Sequence, residues 1–220
     1  MLSFGVFLGL AGIAAQEHWF GVDHSAQGVI ELVRDTRLDF PMQTVSLLGE
    51  GSALIPLIVL ASLLLWRCYR RRWALGLPVI MAGAGWLQLI AKWAVNRPRP
   101  NLAPWGFPSG HVLSLVVFFG FIAYVLCTSR VGRSWRCLGG VMCAGTVLAV
   151  AFSRLYLNVH WLSDVVAGLM LGLAYLLLTI WLVECFQYRR LRTAVVPLSP
   201  SDRAIDAVDS LAAEQATSSA

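Results

Sequence analysis

The chain has 220 residues, of which 58% are hydrophobic and only 13% charged, with a net charge of +5. A water-soluble domain carries about a quarter charged residues, so this composition excludes an ordinary soluble globule. The positive balance does not indicate nucleic acid, because the basic residues sit in short clusters between apolar blocks, as loops beside a membrane do.

Apolar blocks of about 20 residues mark transmembrane helices. The first, residues 1–16, is uncharged and reads as a short span, with a signal peptide ending near Ala14-Ala15 as the alternative. Trp19 and Phe20 would extend and anchor it at the interface. Residues 17–50 are mixed polar. Gln27 to Leu38 alternates apolar and charged residues at roughly helical spacing, which predicts an amphipathic helix lying on the membrane. Asp39 before Phe40-Pro41 is the expected N-cap of a following helix, and Gly49-Glu50-Gly51 should break the chain.

Five more apolar blocks follow, at 52–66, 74–95, 110–128, 138–152 and 161–187. The expected architecture is therefore all-α: a polytopic membrane helix bundle with six transmembrane spans and an interfacial helix between the first two. It would form one domain over residues 1–192, followed by a disordered cytoplasmic tail over 193–220, rich in Ala, Ser and Asp. Arginines at 67, 70, 71 and 72, at 130, 133 and 136, and at 189, 190 and 192 follow alternate spans. The positive-inside rule makes those loops cytoplasmic, together with both termini. Residues 17–50, 96–109 and 153–160 then share the opposite side. The five cysteines form neither a disulfide framework nor a C-x-x-C metal pattern.

Three stretches on that opposite side carry chemistry. Lys92 is the only lysine in the chain and stands at the end of the third span, followed by Asn96-Arg97-Pro98-Arg99-Pro100. The two prolines stop the helix and stiffen the loop that carries Arg97 and Arg99. Next, Pro108-Ser109-Gly110-His111 opens the fourth span, where the free N–H groups of a first helical turn make an anion site. Ser109 can cap, Gly110 admits close approach to the backbone, and His111 can give a proton to a leaving oxygen. Last, Arg154 lies upstream of His160 and Asp164, which stand one turn apart if this part is helical. A carboxylate at that spacing holds an imidazole in one tautomer, and the guanidinium suits phosphate oxygens. Each stretch alone also fits a structural role, such as a buried ion pair or a capped helix. Together they describe a phosphoryl-transfer site, and no set of carboxylates is offered for Mg²⁺.

Lys92-x6-Arg99-Pro100, Pro108-Ser109-Gly110-His111 and Ser153-Arg154-x5-His160-x3-Asp164 together resemble the signature of the type-2 phosphatidic acid phosphatase superfamily, which also includes vanadium-dependent haloperoxidases. No fixed position departs from the pattern. The resemblance implies that His160 is the nucleophile, forming a phosphohistidine, with Asp164 orienting it and His111 protonating the leaving group. It implies that Lys92, Arg99, Ser109, Gly110 and Arg154 hold the phosphoryl oxygens, and that no cofactor or metal is needed. It further implies a multi-pass plasma-membrane phosphatase acting at the periplasmic or extracellular face on a lipid phosphate or diphosphate among membrane lipids. Trp93, Trp105 and Trp161 would line that interface. Undecaprenyl diphosphate is the expected substrate, with phosphatidic acid or phosphatidylglycerol phosphate as alternatives. Other outcomes are a lipid phosphotransferase and a non-catalytic transporter or scaffold.

Overall fold

The structure, a computed structural model, describes residues 2–16, 20–68 and 70–194, with side chains to Phe186. Among these residues all regular structure is helical: α1 (Leu2–Ala15), α2 (Gly21–Leu32), α3 (Thr36–Leu47), α4 (Gly51–Arg67), α5 (Arg71–Val95), α6 (Gly110–Cys127), α7 (Arg133–Tyr156) and α8 (Leu162–Ala194). The described residues up to 179 form one compact unit and those from 180 on belong to a second. Trp19 and residues 195–220, which include nearly all of the expected tail, lie outside the described residues.

Among the described residues four helices are long and apolar enough to cross a membrane: α5, α6, α7 and α8 over Leu162–Phe186. A fifth crossing arises if α3 and α4, bent by 45° at the break between them, count as one span. α1 is a shorter apolar helix of 14 residues, rising about 21 Å at 1.5 Å per residue, less than a hydrocarbon core of about 30 Å. The count is thus four, or up to five, against the six apolar blocks of the sequence.

α6 lies at the centre. Val112, Leu113, Leu115, Val116, Val117, Phe118 and Phe121 are all buried on it, so most of its circumference is covered. α5, α7 and α8 instead present leucine, valine and tryptophan outward, as at Val79, Trp86, Val141 and Leu177. Such an exterior is costly in water and suited to hydrocarbon. α8 approaches α6 through Gly168 and Gly172, a small-xxx-small pair that lets helix backbones meet. A Cβ on Gly168 would lie 2.6 Å from the Ser109 carbonyl oxygen, and one on Gly172 3.1 Å from that of Leu113.

The stretch 27–38 is not one amphipathic helix. α2 stops at Leu32 and α3 starts at Thr36, with Asp35 extended between them. Two long-range hydrogen bonds hold that break open: the Asp35 N–H donates to Tyr156 Oη at 2.9 Å, and Tyr156 Oη donates to the Asp35 carbonyl at 2.6 Å. Asp35, rather than Asp39, therefore caps α3, accepting the Arg37 N–H at 2.9 Å, and Pro41 falls inside the helix. At the far end of α8, helix continues to Ala194, so residues 193–194 are helical where a disordered tail was expected. One end of the bundle is tied by Arg70 donating to Thr128 and by Arg136 donating to the Cys127 carbonyl. The other end carries the loops 96–109 and 157–161 together with α2 and α3.

Candidate active site

α5 ends where Asn96 adopts a left-handed conformation (φ 45°), its N–H donating to the Lys92 carbonyl at 2.9 Å. Lys92 is buried and donates through Nζ to the Trp105 carbonyl at 2.7 Å. Two protons of its ammonium remain for another acceptor. The loop beyond is drawn tight by Gly106 N–H to the Arg97 carbonyl (2.7 Å) and Arg99 N–H to the Ala103 carbonyl (2.9 Å). Proline on either side of Arg99 restricts the backbone of this segment. Arg97 turns into the protein, pairing with Asp23 and Asp164, while the Arg99 charge acts on Lys92, His111 and Arg154.

Ser109 is the N-cap residue of α6 as its position predicts, but its hydroxyl makes no capping bond. Its N–H instead donates to the Asp164 carbonyl at 2.9 Å, joining the starts of α6 and α8. The Gln88 amide lies over Gly110, where a Cβ would come within 2.4 Å of it. The His111 ring packs on Gly49 in the break between α3 and α4, where a Cβ would come within 2.7 Å of the imidazole.

Arg154 ends α7 and donates through Nη1 to the Ser46 hydroxyl of α3. His160 is 1% exposed and precedes α8 rather than belonging to it. The condition under which His160 and Asp164 would share one helical face is not met: the first turn begins at Leu162, and Asp164 is its third residue. Asp164 Oδ2 reaches back to accept the Trp161 N–H at 3.0 Å, the reciprocal arm of a capping box. The same oxygen stands 3.5 Å from His160 Nδ1, a close ionic approach too long for a good hydrogen bond. Oδ1 accepts Arg97 Nη1 at 3.0 Å. Burial holds the His160 imidazole below its ordinary pKa, Asp164 opposes that shift, and Arg154 and Arg99 add to it. The ring is thus kept neutral, with a lone pair available.

The predicted residues converge. Arg99 Nε, Ser109 Oγ, His111 Nε2, Arg154 Nε and His160 Nδ1 are all buried without a hydrogen-bond partner in the protein. The charges of Arg154, His160, Arg99 and Lys92 all act on His111. Buried polar atoms are rarely left unpaired, and apart from His160 Nδ1, which faces Asp164, these atoms on two guanidinium groups, a hydroxyl and an imidazole could serve an anion. Among the described residues no group of three or more His, Cys, Asp or Glu side chains could hold a metal ion.

One expected role is overturned. Trp161 is buried, its indole N–H donating to the Pro98 carbonyl at 3.2 Å, so it braces the loop instead of lining the interface. Trp93 and Trp105 are exposed. The sequence did not single out Asp23, Ser46, Gln88 or Ser163, it named Gly49 only as part of a chain break, and it left Arg97 as a loop residue. Arg97 Nη2 in fact pairs with the fully buried Asp23 at 2.8 Å.

The sequence profile of the PAP2 superfamily matches residues 73–188. Phosphatidylglycerophosphatase B of Bacillus subtilis is 31% identical over 180 residues, 76% of this chain and 88% of that protein. The undecaprenyl-diphosphatase of Sulfolobus acidocaldarius is 34% identical over 34% of this chain and 32% of its own length. The crystal structure of a transmembrane PAP2-type phosphatidylglycerolphosphate phosphatase from Bacillus subtilis superposes with a TM-score of 0.71 at 26% identity, covering 90% of this chain and 98% of that one. Aquifex aeolicus LpxE shares the fold, with a TM-score of 0.60 at 19% identity over 73% of this chain and 96% of that one.

Proposed function

The chain belongs to the PAP2 superfamily and is a phosphatase, and on that premise we propose that it removes phosphate from a membrane lipid by way of a phosphohistidine on His160. The observation that carries this reading is the group of buried polar atoms without a protein partner on Arg99, Ser109, His111 and Arg154, beside the His160–Asp164 pair. With Nδ1 turned to Asp164, Nε2 is the atom that attacks phosphorus. The lipid P–O bond breaks as the N–P bond forms, and His111 gives its proton to the leaving oxygen. Lys92, Arg99 and Arg154 hold the three peripheral oxygens with the Ser109 hydroxyl and the first-turn amide of Gly110. Water then attacks phosphorus, His111 takes its proton, the N–P bond breaks and inorganic phosphate leaves. These cations carry the charge that a metal would otherwise neutralise, so turnover should persist in EDTA.

Two features refine the substrate. The relative that matches most of this chain acts, by its name, on phosphatidylglycerophosphate, whereas the one named for undecaprenyl diphosphate matches 34% of it. A glycerophospholipid monoester therefore stands first and the isoprenoid diphosphate second, the reverse of the order the motifs alone favoured. The site end of the bundle faces outward under this reading, with both termini cytoplasmic, residues 1–192 forming the membrane domain, and α1 and the α3–α4 pair completing six spans.

The test is phosphate release by detergent-purified protein in EDTA from phosphatidylglycerol phosphate, phosphatidic acid, undecaprenyl diphosphate and a soluble phosphate ester, beside His160→Ala. Release that survives EDTA and vanishes in the variant is expected. Normal turnover by folded His160→Ala would remove the nucleophile assignment, and phosphate recovered on a lipid acceptor would make the enzyme a phosphotransferase.

A further inference from the structure

Two buried carboxylates share one buried guanidinium. Arg97 donates through Nη1 to Asp164 Oδ1 (3.0 Å) and through Nη2 to Asp23 Oδ2 (2.8 Å). Asp23 and Asp164 are both 0% exposed and Arg97 3%. Ser163 completes the cluster: Arg97 Nη1 donates to its hydroxyl at 2.6 Å, its hydroxyl donates to Asp23 Oδ2 at 2.7 Å, and its N–H donates to Asp23 Oδ1 at 2.8 Å. The arginine is further enclosed by the rings of Phe20 and Trp161.

Asp23 comes from α2, outside the residues that the superfamily profile matches, 140 residues from Ser163. Two features connect it to the chemistry. The first is mechanical. α8 starts after Trp161, whose side chain has no oxygen with which to cap a helix. Asp23 supplies the missing acceptor, taking the Ser163 N–H in the first turn. That turn carries Asp164, whose other oxygen faces His160. The second is electrostatic. Arg97 with Asp164 alone would be a neutral pair. With Asp23 the trio carries a net negative charge, which faces the imidazole as its nitrogen is phosphorylated and becomes cationic.

We infer that Asp23 is a positioning residue for the reaction, acting through Arg97 and Ser163 to set the place and charge of Asp164 against His160. This rests on His160 being the nucleophile. α2 is then part of the working apparatus of the enzyme, and not just a strap across the bundle.

The variant that tests this is Asp23→Asn in the full-length purified protein, which removes the charge, nearly keeps the shape, and leaves an acceptor for Ser163. It is assayed for kcat, KM and competitive inhibition by inorganic phosphate, a ground-state probe of the oxyanion seat made by Lys92, Arg99 and Arg154. Small displacements of a reacting group cost about 10- to 100-fold, so kcat should fall by that amount. KM and phosphate inhibition should stay as in the wild type, and the pair Asp23→Asn with Arg97→Gln should be no worse than Arg97→Gln alone. Wild-type kcat in folded Asp23→Asn overturns the inference. So does loss of phosphate affinity in step with kcat, which would mean a general collapse of the site, and so does a double variant whose losses multiply. Should Asp23→Asn fail to fold, Arg97→Lys keeps the charge but loses the fork between the two carboxylates, and the same split between kcat and phosphate affinity decides. Turnover that survives His160→Ala would refute the nucleophile itself. Turnover lost in His160→Ala but kept in Asp23→Asn refutes only the positioning role of Asp23.

Discussion

The N–H of Ser109 donates to the carbonyl of Asp164 at 2.9 Å. This one bond ties the helix start that carries His111 to the helix start that follows His160. It exists because α8 has glycine at 168, where a Cβ would lie 2.6 Å from the Ser109 carbonyl oxygen. Gly168→Ala would force two backbones apart, since a carbonyl cannot swing away as a flexible side chain can. Overpacking of this kind costs about 1–3 kcal/mol. The expected outcome is a lower melting temperature and a lower kcat together. Gly85→Ala on α5, where a Cβ meets nothing within 4 Å, is the control and should change neither. Unaltered activity in Gly168→Ala would mean that the α6–α8 junction tolerates displacement.

The pH dependence follows from His160. Its pKa in the folded protein lies below the ordinary 6.5, chiefly through burial. In the proposed reaction the neutral ring is the nucleophile, so the acid limb of kcat/KM assigned to it should fall below about 6.5. Asp164 raises that pKa, so Asp164→Asn should move the limb to still lower pH while reducing kcat by about 10³- to 10⁴-fold. Stability has the matching sign. Between the folded and unfolded pKa values the unfolded chain binds more protons, so stability present above 6.5 is lost as pH falls through that window. Wild type should therefore lose more of its melting temperature than His160→Gln when pH is lowered from about 7.5 to about 5.5. An acid limb at or above 6.5, or equal losses, would show that His160 is not the group held neutral.

What the sequence made legible was local. Ser109, Gly110 and His111 sit beside a proline at the head of an apolar run, and the structure puts the α6 N-cap there. The spacing of His160 and Asp164 signalled their contact, although the geometry is that of a residue ahead of the helix meeting the third residue within it. The blocks around 74–95 and 110–128 became α5 and α6 nearly as drawn. Asp23 and Ser46 left no such mark. Their partners are 140 residues away for Asp23 to Ser163 and 108 for Ser46 to Arg154. A polar residue in a polar stretch looks the same whether it stays in solvent or is drawn into the core by a distant arginine. Arg97 and Arg99 were likewise alike in sequence, and only the buried carboxylates of Asp23 and Asp164 draw Arg97 inward. The cap at Asp35 was missed for the same reason, because Tyr156 decides where the chain between α2 and α3 opens.

Tyr156 provides a stability test of that break. Its hydroxyl accepts the Asp35 N–H and donates to the Asp35 carbonyl, and the side chain is 1% exposed. Tyr156→Phe leaves both backbone groups without their partner. Unsatisfied buried polar groups cost about 1–3 kcal/mol each, less where water can reach them, as at this part-buried pair. The melting temperature should fall by several degrees, and protease cleavage between α2 and α3 should become faster. A variant as stable and as protease-resistant as wild type would show that the break at Val33–Asp35 is set by local sequence instead.

The same region is tied to the proposed oxyanion seat through Ser46. Arg154 commits Nη1 to the Ser46 hydroxyl and leaves Nε without a protein partner. A guanidinium held at one corner presents its remaining donors in a fixed direction, and fixed donors act on charge that develops in the transition state. Ser46→Ala keeps the charge and frees the rotation, so it should raise KM for the lipid severalfold and lower kcat modestly, since one hydrogen bond of about 0.5–1.5 kcal/mol is lost. Arg154→Lys keeps a charge but loses the planar fork, and the loss of an oxyanion donor costs about 10²- to 10³-fold in kcat. The two effects should not add: with lysine at 154, the serine has no fork left to orient, so the double variant should match Arg154→Lys. Steady-state kinetics on the four proteins measures this coupling. Independent, multiplying losses would mean that Ser46 serves the fold of α3 and that Arg154 is aimed by α7 alone.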